Sequence, residues 1–168
     1  MNYSEIKTCD IANGSGVRTS LFVSGCRHHC KGCFNPDTWD FNYGKPFTGE
    51  VMEKILKACE PDYISGLTLL GGEPMEMENQ RGLIELFREF KARYPQKNIW
   101  VYTGYTLERD LLSEGGRARC ELTDEILSLT DVMVDGEFIL EKKDITLEFR
   151  GSTNQRILNL REAIRKDS

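Results

Sequence analysis

The sequence predicts one α/β domain built on a parallel sheet. Two observations point there. Short apolar runs such as Leu21-Phe22-Val23, Leu67-Thr68-Leu69-Leu70, Ile99-Trp100-Val101-Tyr102 and Val132-Met133-Val134 alternate with helical patterns, which argues for βαβ units. Each run also ends in an unusual loop, and parallel α/β folds bind ligands at the carboxyl ends of their strands.

With 168 residues and 39% hydrophobic composition, the chain can bury one core, and residues 1–168 are expected to form a single domain. It is short for a complete eight-stranded barrel, which takes about 250 residues. Lys plus Arg is 22 and Asp plus Glu is 27, a net charge of −5. That balance lacks the basic footprint of a nucleic-acid binder. Met1-Asn2-Tyr3-Ser4-Glu5 starts no basic-then-apolar leader. No apolar run approaches a membrane span. Six cysteines without a secretion signal imply a reducing cytoplasm.

Asp10 to Arg18 reads as a polar, glycine-rich turn; no Lys-Ser/Thr follows, so it is no nucleotide P-loop. Thr19 to Ser24 is the first strand, and Asn35 to Lys45, with Trp39, Phe41 and Tyr43, is an ordered loop. A helix is expected from about Glu50 to Glu60, where Pro61 stops it. Leu67 to Leu70 is short and apolar, as buried parallel strands are. The helix from about Asn79 to Arg93 carries Leu83, Ile84, Leu86, Phe87 and Phe90 on one face. Ile99 to Tyr102 is a strand, then come a short helix from Leu107, a Gly115-Gly116 break and a helix from about Asp124 to Leu129. Asp131 to Val134 is a strand, Leu147 to Arg150 is expected as the last strand, and the tail from Ile157 is amphipathic and helical.

The loop after the first strand, Gly25-Cys26-Arg27-His28-His29-Cys30-Lys31-Gly32-Cys33-Phe34, spaces three cysteines as C-x3-C-x2-C. Clustered thiolates suit iron–sulfur or zinc. A structural site normally has four protein ligands, so three leave a position open for chemistry. Zinc with His28 or His29 as fourth ligand is the alternative, at the expense of strain in so short a loop. A disulfide would leave an odd thiol. Cys9, Cys59 and Cys120 are isolated, and Cys59 continues the apolar face of Val51, Ile55 and Leu56, so it reads as core. Gly71-Gly72-Glu73-Pro74, Thr103-Gly104-Tyr105 and Asp135-Gly136-Glu137-Phe138 also follow expected strands. Each alone could be a turn; together with the cysteines they share one rim.

C-x3-C-x2-C followed by Phe34, with Gly71-Gly72-Glu73-Pro74 downstream, resembles the radical S-adenosylmethionine superfamily. The resemblance implies a partial, incomplete parallel α/β barrel. It implies a 4Fe-4S cluster on Cys26, Cys30 and Cys33, with the fourth iron open to S-adenosylmethionine. Gly32, Cys33 and Phe34 would lie beside the nucleotide, and Gly71, Gly72, Glu73 and Pro74 would form the turn that meets the methionine amine. Further segments, Thr38-Trp39, Ile99 to Tyr105, Val134 to Phe138 and Arg150 to Arg156, extend the likeness to one family within it: the activating enzymes of anaerobic ribonucleoside-triphosphate reductase. Ser15 and the Ser113 to Glu121 stretch depart from that pattern without touching the cysteine motif.

This family likeness implies that a reduced cluster cleaves S-adenosylmethionine, and that the deoxyadenosyl radical takes a hydrogen from a glycine of the reductase. The protein would supply no acid or base, only binding, orientation and exclusion of water. The reductase is the implied partner, with a low-potential electron donor such as flavodoxin. Asp135 and Asn154-Gln155-Arg156 are expected to serve the cofactor pocket or partner docking. A small-molecule radical enzyme, such as the deazaguanine-forming synthase, shares the cysteine loop and glycine turn and is the competing reading.

Overall fold

The computed structural model describes residues 1–167. Its elements run β1 (Asn2–Asp10), β2 (Val17–Val23), β3 (Lys45–Pro46), α1 (Gly49–Ala58), β4 (Ile64–Gly71), α2 (Met77–Arg93), β5 (Asn98–Tyr102), α3 (Thr123–Leu129), β6 (Val132–Asp135), β7 (Arg156–Asn159) and α4 (Leu160–Asp167). A 3-10 turn spans Pro36–Trp39, and a π-helical segment spans Leu107–Leu112. The strands form one open seven-stranded sheet in the order β3-β1-β2-β4-β5-β6-β7. The four central strands are parallel. The flanking pairs β1 with β2, β1 with β3, and β6 with β7 are antiparallel. The fold is therefore mixed α/β.

The two faces of the parallel strands differ. Leu21 pairs with Leu69, Leu67 with Ile99, and Val101 with Met133. These side chains join Ile55 and Leu56 of α1, Leu83, Leu86, Phe87 and Phe90 of α2, and Ile126 of α3 in one core. Strand residues alternate between faces, so the next residues, Phe22, Leu70, Tyr102 and Val134, line a cleft on the opposite side. The helices cover one face and leave the other to the site.

Helix ends follow the sequence. Thr48 Oγ1 accepts from Val51 N and starts α1. The second helix begins at Met77, two residues before the expected start. No helix among the described residues is long and apolar enough to cross a membrane.

Two expectations change. Leu147 to Arg150 forms no strand: Phe149 takes a left-handed φ of 62°, outside the β region, and its ring packs edge-on against Trp100 at 5.4 Å. The last strand is β7, pairing Arg156 with Asp135 and Asn159 with Val132. The N-terminal strand β1 went unread because it lies near the sheet edge, mostly half-buried or exposed. Its register shifts between Tyr3 and Glu5 and again between Lys7 and Asp10, which breaks the two-residue period.

Candidate functional site

The four loops after the parallel strands meet at one end of the sheet and bound a cleft of about 720 Å³. Cys26, Cys30, Cys33, Phe34, Gly71, Gly72 and Glu73 all line it, with Thr103, Gly104, Gly136 and Phe138. Gly32 and Pro74 do not. Gly32 has φ +77° and turns the loop against Leu140. Pro74 is buried just before α2.

The cysteine loop is tied to its neighbours through its backbone. Gly25 N donates to Thr38 O (2.7 Å), Cys26 N to Trp39 O (3.1 Å) and Arg27 N to Glu76 Oε2 (2.7 Å). Gly71 and Gly72 fit where other residues would not. Gly71 has φ +114°, and a Cβ there would stand 2.7 Å from both Val23 N and Val23 O. A Cβ on Gly72 would stand 2.7 Å from Gly25 O and 2.8 Å from Thr38 O. The amides of Gly72 and Glu73 donate to Val23 O and Gly25 O, each at 2.8 Å. The glycine turn is thus welded to the cysteine loop.

Glu73 is the centre of the rim. Its carboxylate is buried and accepts from Met75 N (2.8 Å), Thr103 Oγ1 (2.7 Å), Gly104 N (2.6 Å) and His28 Nε2 (2.8 Å). A carboxylate has about four acceptor sites, so this side chain has none left for a ligand. His28 reaches Glu137 Oε1 with its other nitrogen, at 3.1 Å. Ionised carboxylates only accept, so an imidazolium, with a donor at each nitrogen, satisfies both contacts. Burial lowers its pKa, but the bonds to Glu73 and then Glu137 raise it more, for a net upward shift. Glu76 accepts from Tyr105 Oη at 2.6 Å, and Asn79 Nδ2 donates to Ser24 O (3.0 Å) and Glu73 O (2.9 Å).

Sequence reasoning missed Glu76, Asn79 and the structural work of His28 and Glu137. The available signals were a histidine inside the C-x3-C span and polar residues at the start of an apolar helix. Trp39 and Phe41 pack the post-cysteine loop: Trp39 stacks on His29 at 4.4 Å, and Phe41 lies under Arg27 at 4.6 Å. Tyr43 is exposed. Asp135 is buried, accepts from Leu107 N and Arg156 Nε at 2.9 Å each, and does not line the main cleft. Gln155 does, while Asn154 and Arg156 line a second hollow of about 330 Å³ that shares Gly104 and Gly136.

The thiols are unpaired with one another. Burial, then the charge of Glu73, pushes the Cys26 thiol up to about 12. Burial also raises Cys30. Such thiols stay protonated until a metal displaces the proton. Among the described residues, no three His, Cys, Asp or Glu converge to hold a single metal ion. His28 is engaged at both nitrogens by Glu73 and Glu137, so it is not free to be the fourth ligand a zinc site would need, and His29 lies stacked on Trp39. A four-iron cluster asks for thiolates on separate irons, and three cysteines around an open cleft fit that donor set.

Residues 12–158 match a family described as a 4Fe-4S single cluster domain. Relatives named anaerobic ribonucleoside-triphosphate reductase-activating protein are 42% identical over 157 residues in Vibrio cholerae, covering 92% of this chain and 96% of the relative. The relative from Escherichia coli K12 is 40% identical over 163 residues, covering 96% and 100%. That of Enterobacteria phage T4 is 40% identical over 158 residues, covering 94% and 93%.

The chain belongs to this family of reductase-activating proteins. The family match spans all four rim loops and the three cysteines, and a family described by a 4Fe-4S cluster is one whose cluster these thiols fit.

Proposed function

We propose that this protein activates an anaerobic ribonucleoside-triphosphate reductase by generating a glycyl radical on it, as a radical S-adenosylmethionine enzyme. The observation that carries this reading is the single rim shared by the cysteine loop and the glycine turn, in a chain similar to named activating proteins over nearly its whole length. Residues 1–168 act as one domain, with the parallel strands as the wall of a partial barrel.

Cys26, Cys30 and Cys33 would hold a 4Fe-4S cluster. Bound there, the cluster would supply the one electron for reductive cleavage of S-adenosylmethionine to methionine and a deoxyadenosyl radical, which would take a hydrogen atom from a glycine of the reductase. The chain's own part is positional. The amides of Gly72 and Glu73 are already donated, and an ammonium group needs acceptors, so the turn would meet the methionine amine with its carbonyl side. Glu73 acts through its backbone and by fixing the surrounding loops. Phe34, 69% exposed beside Phe138 at 5.2 Å, would flank the nucleotide at the mouth. The cleft is open, so the partner itself would exclude water. A low-potential donor such as flavodoxin would reduce the cluster, in the cytoplasm.

The test is electron paramagnetic resonance of an anaerobic mixture of reductant, S-adenosylmethionine, this protein and its reductase. A glycyl doublet should appear only when both proteins are present, with deoxyadenosine formed alongside. Deoxyadenosine formed with a small-molecule substrate and no doublet would overturn the reading.

A further inference from the structure

We infer that His28 is a positioning residue for the thiols of Cys26 and Cys30, a strut fixed at one end by Glu73 and at the other by Glu137. The inference rests on the function proposed above.

The cysteine loop has little regular structure of its own. His29 and Gly32 both lie at left-handed φ, 50° and 77°, and no helix or strand spans Arg27 to Asn35. His28 stands midway between the first two cysteines. Its side chain is 4% exposed although its neighbours Arg27 and His29 are exposed. The ring packs against Tyr105 with centroids 4.4 Å apart. It occupies the space a side chain at position 104 would need: a Cβ on Gly104 would stand 2.7 Å from the imidazole. The rim is shaped around this ring.

The two ends of the strut differ. Glu73 is buried with four donors around it, so it is a rigid anchor on the glycine turn. Glu137 has a side chain 45% exposed and comes from the loop after β6, where it lines the second hollow. The imidazole therefore fixes the distance between the thiols and the turn expected to meet S-adenosylmethionine. A site held on a loop is only as precise as the groups that lock it, and here one ring locks three loops at once. Breaking the outer bond should loosen the cysteine loop while the core stays intact.

The variants His28→Ala, Glu137→Ala and Glu137→Gln, reconstituted anaerobically, test this. The readouts are iron content, S-adenosylmethionine affinity by calorimetry, and the resonance spectrum of the reduced cluster with and without S-adenosylmethionine. His28→Ala should retain iron but weaken S-adenosylmethionine about tenfold, the size of one charge-assisted hydrogen bond, with a broadened spectrum. Glu137→Ala should move in the same direction by less. Glu137→Gln keeps an acceptor for Nδ1–H and should restore wild-type affinity and line shape. Wild-type affinity and spectra in both alanine variants would overturn the inference. So would loss of iron in His28→Ala with Glu137→Ala unchanged, since His28 would then be a fold clamp alone. Wild-type protein that assembles no cluster would overturn the proposed function, and the inference with it.

Discussion

Gly72→Ala should damage the cysteine loop rather than the glycine turn alone. An added Cβ would stand 2.7 Å from Gly25 O, 2.8 Å from Thr38 O and 3.1 Å from Gly25 N. All three are backbone atoms, so no side chain can rotate aside. The same atoms carry the bonds Gly25 N to Thr38 O (2.7 Å) and Glu73 N to Gly25 O (2.8 Å), which must stretch. Overpacking of this kind costs about 1–3 kcal/mol. In a chain of this size each kcal/mol moves the melting temperature by about 2–4 °C, so a fall of about 2–12 °C is expected. Gly49→Ala is the control: it opens α1 and meets nothing within 4 Å. Alanine also favours helix over glycine, so this variant should melt at or slightly above wild type. The assay is anaerobic thermal melting with iron content after reconstitution. If Gly72→Ala melts with the control and loads full iron, the close approach of turn and loop is not what the geometry says.

Cys26→Ala, Cys30→Ala and Cys33→Ala should each lose the reconstituted cluster. Alanine at Cys9, which is exposed, Cys59, which is buried in the core, or Cys120, which contacts Gln80 Oε1 at 3.3 Å, should leave iron content unchanged. A full cluster in Cys30→Ala would contradict the ligand set. Asp110 gives a pH prediction. Burial raises its carboxyl, but hydrogen bonds from Arg117, Arg109 and Thr106 N lower it more, and the net shift is downward. A depressed folded pKa contributes stability above the unfolded value of about 4 and loses it as pH falls below that. The melting gap between wild type and Asp110→Asn should be flat from pH 7 to 5 and narrow below about 4; a gap independent of pH would refute the ion pair.

Much of the parallel core was legible because apolar runs of strand length speak directly. Leu67 to Leu70 and Ile99 to Tyr102 lie within β4 and β5. The antiparallel strands were not. β1 is too polar and too bulged to keep a two-residue period. Leu147 to Arg150 has strand composition, but Phe149 is left-handed and its ring packs against Trp100, a tertiary contact no local pattern contains. The cysteines and the glycine turn could be placed on one rim from their positions after strands. What holds the rim could not. Glu73 looked like part of a ligand turn, whereas its carboxylate is saturated by four protein donors from three loops.

The placing of buried charge explains how so short a chain keeps an open cleft ordered. Arg18, Glu73, Glu76, Asp110 and Asp135 are all buried. Burying a charge is expensive, and a satisfied buried ion is weak grounds for stability. The core needs none of them, since it is one apolar cluster reaching from α1 to Leu160. Their partners lie elsewhere. Arg18 ties Ser15 O (2.9 Å), Thr68 Oγ1 (2.7 Å), Leu67 O (3.0 Å) and Asn98 O (3.2 Å) together on the cleft side of the sheet. Asp135 joins β6 to the π-helical segment and to β7. Glu73 and Glu76 join the cysteine loop to the β4 and β5 loops. The desolvation these groups cost fixes loops that no helix covers. The helices on one face bury the apolar core, and buried ions on the other tie the rim loops to one another.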